Sequence, residues 1–185
     1  MPVFSLRVGR KMKIIQTPVS DEVIKNLRVG DMIALSGRIY TGRDAALPRL
    51  QKLLATGKLT DFNIDLQGSV MFHTAVSPAG VGPTSSNKPE IENSIPILSQ
   101  AGVKLHLGKG ALKQKTVEAL HLYGSVYAVI PPVTALLESK TINRRIAAFP
   151  EEGMEAMHCL DVVEYPVIIA AAHGKSIYYM ESLYD

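Results

Sequence analysis

Short apolar runs rich in β-branched residues alternate along this chain with stretches whose apolar positions recur at helical spacing. That alternation predicts an α/β domain. Residues 13–17 read as a first strand closed by Pro18, and Ser20 then caps a short helix that carries Asp21 and Glu22 in its first turn and ends near Leu27. Residues 31–36 predict a buried strand, followed by a loop over 37–43. A helix over 48–56 places Leu50, Leu53 and Leu54 on one face, with Pro48 in its first turn. Residues 69–76 predict another strand with a loop over 77–89 behind it, and 91–100 read as helix interrupted at Pro96.

The second half repeats the style. A strand over 103–107 ends at Gly108-Lys109-Gly110, a helix covers 111–122, a strand over 126–130 stops at Pro131-Pro132, and 134–140 are helical. The tail holds strand candidates at 146–149, 158–165, 167–172 and 176–180, with His173-Gly174-Lys175 as the turn of a terminal hairpin. A hairpin is antiparallel and a βαβ crossover parallel, so the expected sheet is mixed, with helices flanking it. The loops 37–43, 77–89, 108–110 and 131–133 each follow a strand and precede a helix. Loops of that kind gather at the carboxyl ends of strands, where α/β sheets bind ligands.

Composition narrows the picture. With 185 residues, 46% hydrophobic and 20% charged, the chain is long enough to bury a core without staples. Residues 1–12 read as a short disordered N-terminal extension and 13–185 as a single domain. One cysteine, Cys159, excludes a disulfide scaffold and a metal or iron–sulfur site held by cysteines of this chain alone. The net charge of +3 has a local source, because Arg7, Arg10, Lys11 and Lys13 occur with no acid among residues 1–13. The remainder is close to neutral, which argues against a nucleic-acid partner. No apolar run is long enough for a membrane helix, the N-terminal stretch lacks the apolar core of a secretory signal, and cytoplasm is the default compartment.

Two segments carry candidate chemistry. In Val81-Gly82-Pro83-Thr84-Ser85-Ser86-Asn87-Lys88, a glycine permits close approach, three hydroxyls offer donors and a lysine adds charge before a helix. That is a carboxylate or phosphate site, or else a solvated Ser-rich loop. In 36–44, Arg43 can grip a carboxylate with Asp44 orienting it or capping a helix; the plainer alternative is a surface salt bridge. Gly108-Lys109-Gly110 is neither a P-loop nor a dinucleotide fingerprint, since Gly110 stands where Ser or Thr must hold magnesium and Lys113 where the third glycine belongs. The histidines at 73, 106, 121, 158 and 173 have no local metal-ligand spacing. His121 reads as a surface or boundary residue, His73 and His106 lie in strands near candidate loops, and Cys159 reads as a buried structural thiol.

Six ordered matches resemble the β subunit, or C-terminal domain, of the class I iron–sulfur fumarases and L-tartrate dehydratases. They are Val29-Gly30-Asp31; Ser36-Gly37 followed by Arg43-Asp44; Gly82-Pro83-Thr84-Ser85; Gly108-Lys109-Gly110; Glu152-Gly153-Met154-Glu155-Ala156; and His173-Gly174. The resemblance covers about residues 13–179. It implies a swivelling β/β/α domain and reversible addition of water to the double bond of a four-carbon dicarboxylate. It further implies a [4Fe–4S] cluster bound by an α subunit that this chain needs as partner, and a hetero-oligomer. Catalytic roles fall on Thr84 and Lys109, with Thr84 the proton-transfer residue, and substrate contacts on Arg43, Gly82, Ser85 and Lys88; no metal is assigned to this chain. Three positions depart from the family pattern. Leu47 stands where Arg-Asp-x-x-His has its histidine, Lys88 where arginine is usual, and Pro131-Pro132-Val133-Thr134 replaces a Gly/Ala-rich stretch. A second reading follows from them: a diverged, non-catalytic member that binds a dicarboxylate or a protein partner.

Overall fold

The computed structural model describes residues 11–84 and 88–179. In chain order its strands are β1 (Lys13–Gln16), β2 (Met32–Thr41), β3 (Val70–Phe72), β4 (Thr74–Ser77), β5 (Gly80–Thr84), β6 (Leu105–Gly108), β7 (Val126–Val129), β8 (Thr141–Ala148), β9 (Met157–Ala172) and β10 (Lys175–Ser176). The helices are α1 (Asp21–Asn26), α2 (Ala46–Ala55), α3 (Lys88–Gln100), α4 (Gln114–Leu122) and α5 (Thr134–Ser139), with 3-10 turns at Leu59–Phe62 and Pro150–Glu155. The extension proposed for residues 1–12 lies, up to residue 10, outside the described residues.

β1, β2, β3, β6 and β7 form a parallel run in that order. The long antiparallel β9 then pairs with β7 through Ile168, Ile169 and Ala171, and with β2 from Met32 to Thr41. Ile168 has a partner on each side, Met32 and Val129. The strands β2, β3, β6, β7 and β9 therefore close a ring, and the mixed sheet is flanked by helices.

The alternation of side chains explains the layers. Ile33, Leu35, Ile39, Phe72, Leu105, Leu107, Val126, Ala128 and Leu160 belong to one buried cluster on one face of the ring strands. The intervening residues point the other way. Tyr40, Met71, Met157 and Cys159 meet Leu47 and Leu50 of α2, while Tyr127, Ala170 and Ala171 meet Ile91, Ile95, Val117 and Leu120 of α3 and α4. Each of the Val, Leu, Ile, Met and Phe side chains among them contributes roughly 1.5–3 kcal/mol when fully buried.

Ser20 caps α1 as its type predicts, its Oγ accepting from the Val23 N–H at 3.2 Å. The turn before β10 is also where the sequence puts it, with His173 and Gly174 both at positive φ. Four expectations are corrected. Residues 37–41 are strand and not loop: Gly37 sits at φ +109 in a bulge, Glu164 of β9 reaches φ +53 beside it, and pairing resumes to Thr41. The strand expected over 69–76 breaks at His73, where β4 leaves the ring to pair with β5, so 74–84 is a hairpin and the loop expected from 77 starts as its turn and second strand. Pro96 does not interrupt α3, whose neighbouring Ile95 and Leu98 are both fully buried. Pro166 does not divide β9, where it stays in register opposite Ala34.

Candidate functional site

Three backbone hydrogen bonds level the carboxyl ends of four ring strands. Gly42 N–H donates to Phe72 O at 3.0 Å, His73 N–H to Leu107 O at 3.0 Å, and Ile130 N–H to Gly108 O at 3.3 Å. Beyond this tier Arg43 leaves β2, the β4–β5 hairpin leaves β3, and Lys109 leaves β6. With strands about 4.8 Å apart, Arg43 and Lys109 depart from points roughly 10 Å from each other. Three of the four loops singled out from sequence leave this one rim as connections to helices, and the fourth, 77–89, begins as the hairpin.

Arg43 is held from across the fold. Its Nε and Nη2 both approach Oε1 of Glu155, at 2.7 and 2.5 Å, in a half-buried ion pair. Two motif matches separated by 112 positions thus meet. Just before Arg43, Gly42 leaves room for Leu47, whose Cδ2 would lie 2.8 Å from a Cβ at that position. Leu47 is 3% exposed and belongs to the core beneath α2. The N-cap of α2 is Ala45, which makes no side-chain capping bond, and not Asp44. Further along α2, Arg49 pairs with Glu151 and Glu152 and lies 4.3 Å above the Phe149 ring. The turn that presents Glu155 is therefore pinned to α2 at several points.

The loop carrying Lys109 is shaped by groups that sequence reasoning missed. Gly108 packs on Tyr127, whose hydroxyl would lie 3.0 Å from an added Cβ. The same hydroxyl donates to Gly110 O at 3.1 Å. Burial pushes the Tyr127 phenol above its ordinary range, so it stays a donor. Glu92 of α3, 6% exposed, accepts from Lys113 N–H at 2.5 Å and from Thr116 Oγ1 at 2.9 Å, closing the amino end of α4. Lys109 itself is exposed. Nothing local marks Glu92, whose partners are 21 and 24 residues away.

Gly82 lies in β5, where its carbonyl accepts from Thr74 Oγ1 at 2.7 Å and an added Cβ would meet Ala75 O at 3.1 Å. Thr84 ends the same strand opposite Thr74. Lys88 opens α3. Ser85 lies outside the described residues. The remaining histidines divide by surroundings. His73 and His106 are fully buried beside each other, 3.1 Å between Nε2 and Nδ1, and His106 Nε2 lies 2.9 Å from Ser99 Oγ. His158 Nδ1 donates to Ala156 O at 2.9 Å, and burial holds its imidazole below the usual range, with Arg144 acting in the same direction. Cys159 is buried in β9, and burial pushes its thiol up. Among the described residues no group of three or more His, Cys, Asp or Glu could hold a metal ion, and no helix is long and apolar enough to cross a membrane.

A family model, that of the fumarase C-terminus, matches residues 6–181. The chain belongs to the fumarase C-terminus family. It is 31% identical over 170 residues to a putative L(+)-tartrate dehydratase subunit beta of Methanocaldococcus jannaschii, covering 84% of this chain and 85% of that one. The L(+)-tartrate dehydratase subunit beta of Escherichia coli is 30% identical over 179 residues, 89% of this chain and 86% of that protein. A putative class I fumarate hydratase of Geobacillus stearothermophilus is 33% identical over 128 residues, 64% of this chain but 23% of its own length. The family domain is thus nearly the whole of the tartrate dehydratase β subunits and a minor part of that fumarate hydratase.

Proposed function

We propose that this chain is the β subunit of a two-subunit hydro-lyase, adding water to or removing it from a four-carbon dicarboxylate of the fumarate/malate or tartrate/oxaloacetate type. The observation that carries the reading is the common rim from which Arg43, Lys109 and the Gly82–Thr84 strand all rise. A dicarboxylate needs several cations, and Arg43 and Lys109 leave the rim close enough together to reach one four-carbon substrate, with Lys88 opening α3 behind the hairpin. Arg43 and Lys88 bind carboxylates together with Gly82 and Ser85, Lys109 stabilises the charge that builds as the C–H proton leaves, and Thr84 exchanges that proton. Hydration and dehydration run through the same groups in opposite order.

A [4Fe–4S] cluster takes cysteine thiolates. This sequence offers Cys159 alone, buried in a strand with its thiol pushed up, and no metal-ligand group among the described residues. The residues of this chain do not fit a cluster, so the cluster and its Lewis acidity would be supplied by an α subunit. Near-complete coverage of subunits named beta supports a separate partner. Cytoplasm is the compartment the proposal assigns.

One observation favours the alternative of a non-catalytic, dicarboxylate- or partner-binding member. Leu47 occupies the position of the family histidine and is sealed into the core. Co-expression with a neighbouring α-type protein, anaerobic purification and assay on fumarate, malate and tartrate test the choice. Co-purification with turnover that the chain alone lacks is the expected result. Turnover by the chain alone overturns the two-subunit reading, and a stable complex inert to all three substrates favours the alternative.

A further inference from the structure

A buried polar chain runs from α3 into the ring strands, and the proposed chemistry leaves it unused. Ser99 of α3, His106 of β6 and His73 at the end of β3 are 3%, 0% and 0% exposed. Ser99 Oγ lies 2.9 Å from His106 Nε2, and His106 Nδ1 lies 3.1 Å from His73 Nε2. The two imidazoles meet edge to edge, with centroids 5.4 Å apart and planes 20° from parallel. Each contact needs one proton. A neutral imidazole carries one N–H and one lone pair, so donation runs in a single direction along the chain, and reversing it at Ser99 reverses it at His73. Full burial and the neighbouring His73 hold the His106 imidazole well below its usual range, which keeps it neutral.

The location matters more than the chemistry of the rings. His73 is the tier residue of β3, and its own N–H bonds to Leu107 O of β6. The next residue, Thr74, opens the hairpin, binds Gly82 O and faces Thr84 across the ladder. His106 stands three residues before Lys109. These side chains therefore tie together the two strands from which the hairpin and the lysine loop arise, one residue before the hairpin and three before Lys109. Apolar residues would fill the same space but would not fix one alignment, because only hydrogen bonds are directional.

We propose that Ser99, His106 and His73 are positioning residues that set the separation between the Gly82–Thr84 strand and Lys109. The proposal rests on the dicarboxylate hydro-lyase reading of that rim. Its test combines Ser99→Ala, which removes one link, with Ser99→Thr, which restores a hydroxyl. In the anaerobic complex with the α subunit, Ser99→Ala lowers kcat about tenfold to a hundredfold while KM stays within about twofold, and Ser99→Thr recovers most of the loss. In the isolated full chain, amide NMR shows Thr74, Gly82 and Lys109 displaced by Ser99→Ala and returned by Ser99→Thr. A Ser99→Ala complex with wild-type kcat and only a lower Tm overturns the proposal, as do unmoved rim amides. Should the wild-type complex turn over no dicarboxylate, the hydro-lyase reading fails by itself, and the rim amides alone decide whether the chain positions the rim.

Discussion

Arg43 and Glu155 meet at 2.7 Å although 112 positions separate them, one at the end of β2 and the other in the turn before β9. Both guanidinium contacts converge on one carboxylate oxygen, so the planar fork has N–H donors beyond the two that Glu155 takes. Arg43→Lys keeps the charge and loses the fork. In the reconstituted complex it raises KM for the dicarboxylate about tenfold with little change in kcat, read from initial rates. Stability shifts by less than about 1 kcal/mol, as expected for a half-exposed pair.

Gly108 and Tyr127 form a second coupled pair. A methyl at Gly108 meets the tyrosine hydroxyl, so Gly108→Ala lowers the unfolding free energy by about 1–3 kcal/mol. Tyr127→Phe leaves the Gly110 carbonyl without this donor, at about 1 kcal/mol. Removing the hydroxyl relieves part of the clash, the ring Cε2 still lying 3.2 Å away, so the double variant loses less than the sum by about 0.5 kcal/mol in urea titrations.

Burial sets how the fold responds to acid. His106 has a folded pKa depressed below 6.5, with desolvation the main cause and His73 the second. Below pH 6.5 the unfolded chain takes up a proton that the folded chain refuses, so stability falls with falling pH until the folded value is reached. Above 6.5 both states are neutral at this site and the contribution is constant. Urea midpoints from pH 8 to 5 therefore stay level and then drop, and His106→Gln flattens part of the drop.

Leu47 packs against Gly42 in the core beneath α2. Leu47→His trades buried apolar surface for an imidazole and lowers stability by about 2–4 kcal/mol at pH 7, measured by thermal unfolding. If the chain is the diverged, non-catalytic member, the same variant confers no turnover on an otherwise inert complex.

The order of strands and helices was legible in the sequence because it follows local apolar period and punctuation. Ser20 before Asp21 and Glu22 named a helix start, and His173-Gly174 named a turn. The misreadings share a cause. Gly37 and Pro166 are breakers when judged locally, yet cross-strand pairing with β9 carries the ladder past both. The hairpin at 74–84 hid behind Ser and Pro residues that also suit loops. Of the residues the resemblance names, Arg43 and Lys109 leave one rim of the fold and Gly82 lies in the hairpin beside it, while Ser85 lies outside the described residues. Glu155 as the partner of Arg43, Glu92 as the cap of α4, and the joining of His73 to His106 all depend on contacts between distant positions. Those contacts leave no periodic trace.

β9 has a consequence for how the molecule assembles. It pairs with β2, so Ile33 meets Val167 across more than half the chain, and it also closes against β7. The parallel strands cannot form a finished ring until this last long segment arrives, and most of its pairing is remote in sequence. Such topologies fold slowly, since chain entropy is lost before distant contacts repay it. Until then the N–H and C=O groups of β2 and β7 that face β9 stand as two open edges, the state in which the chain is most prone to associate with others of its kind.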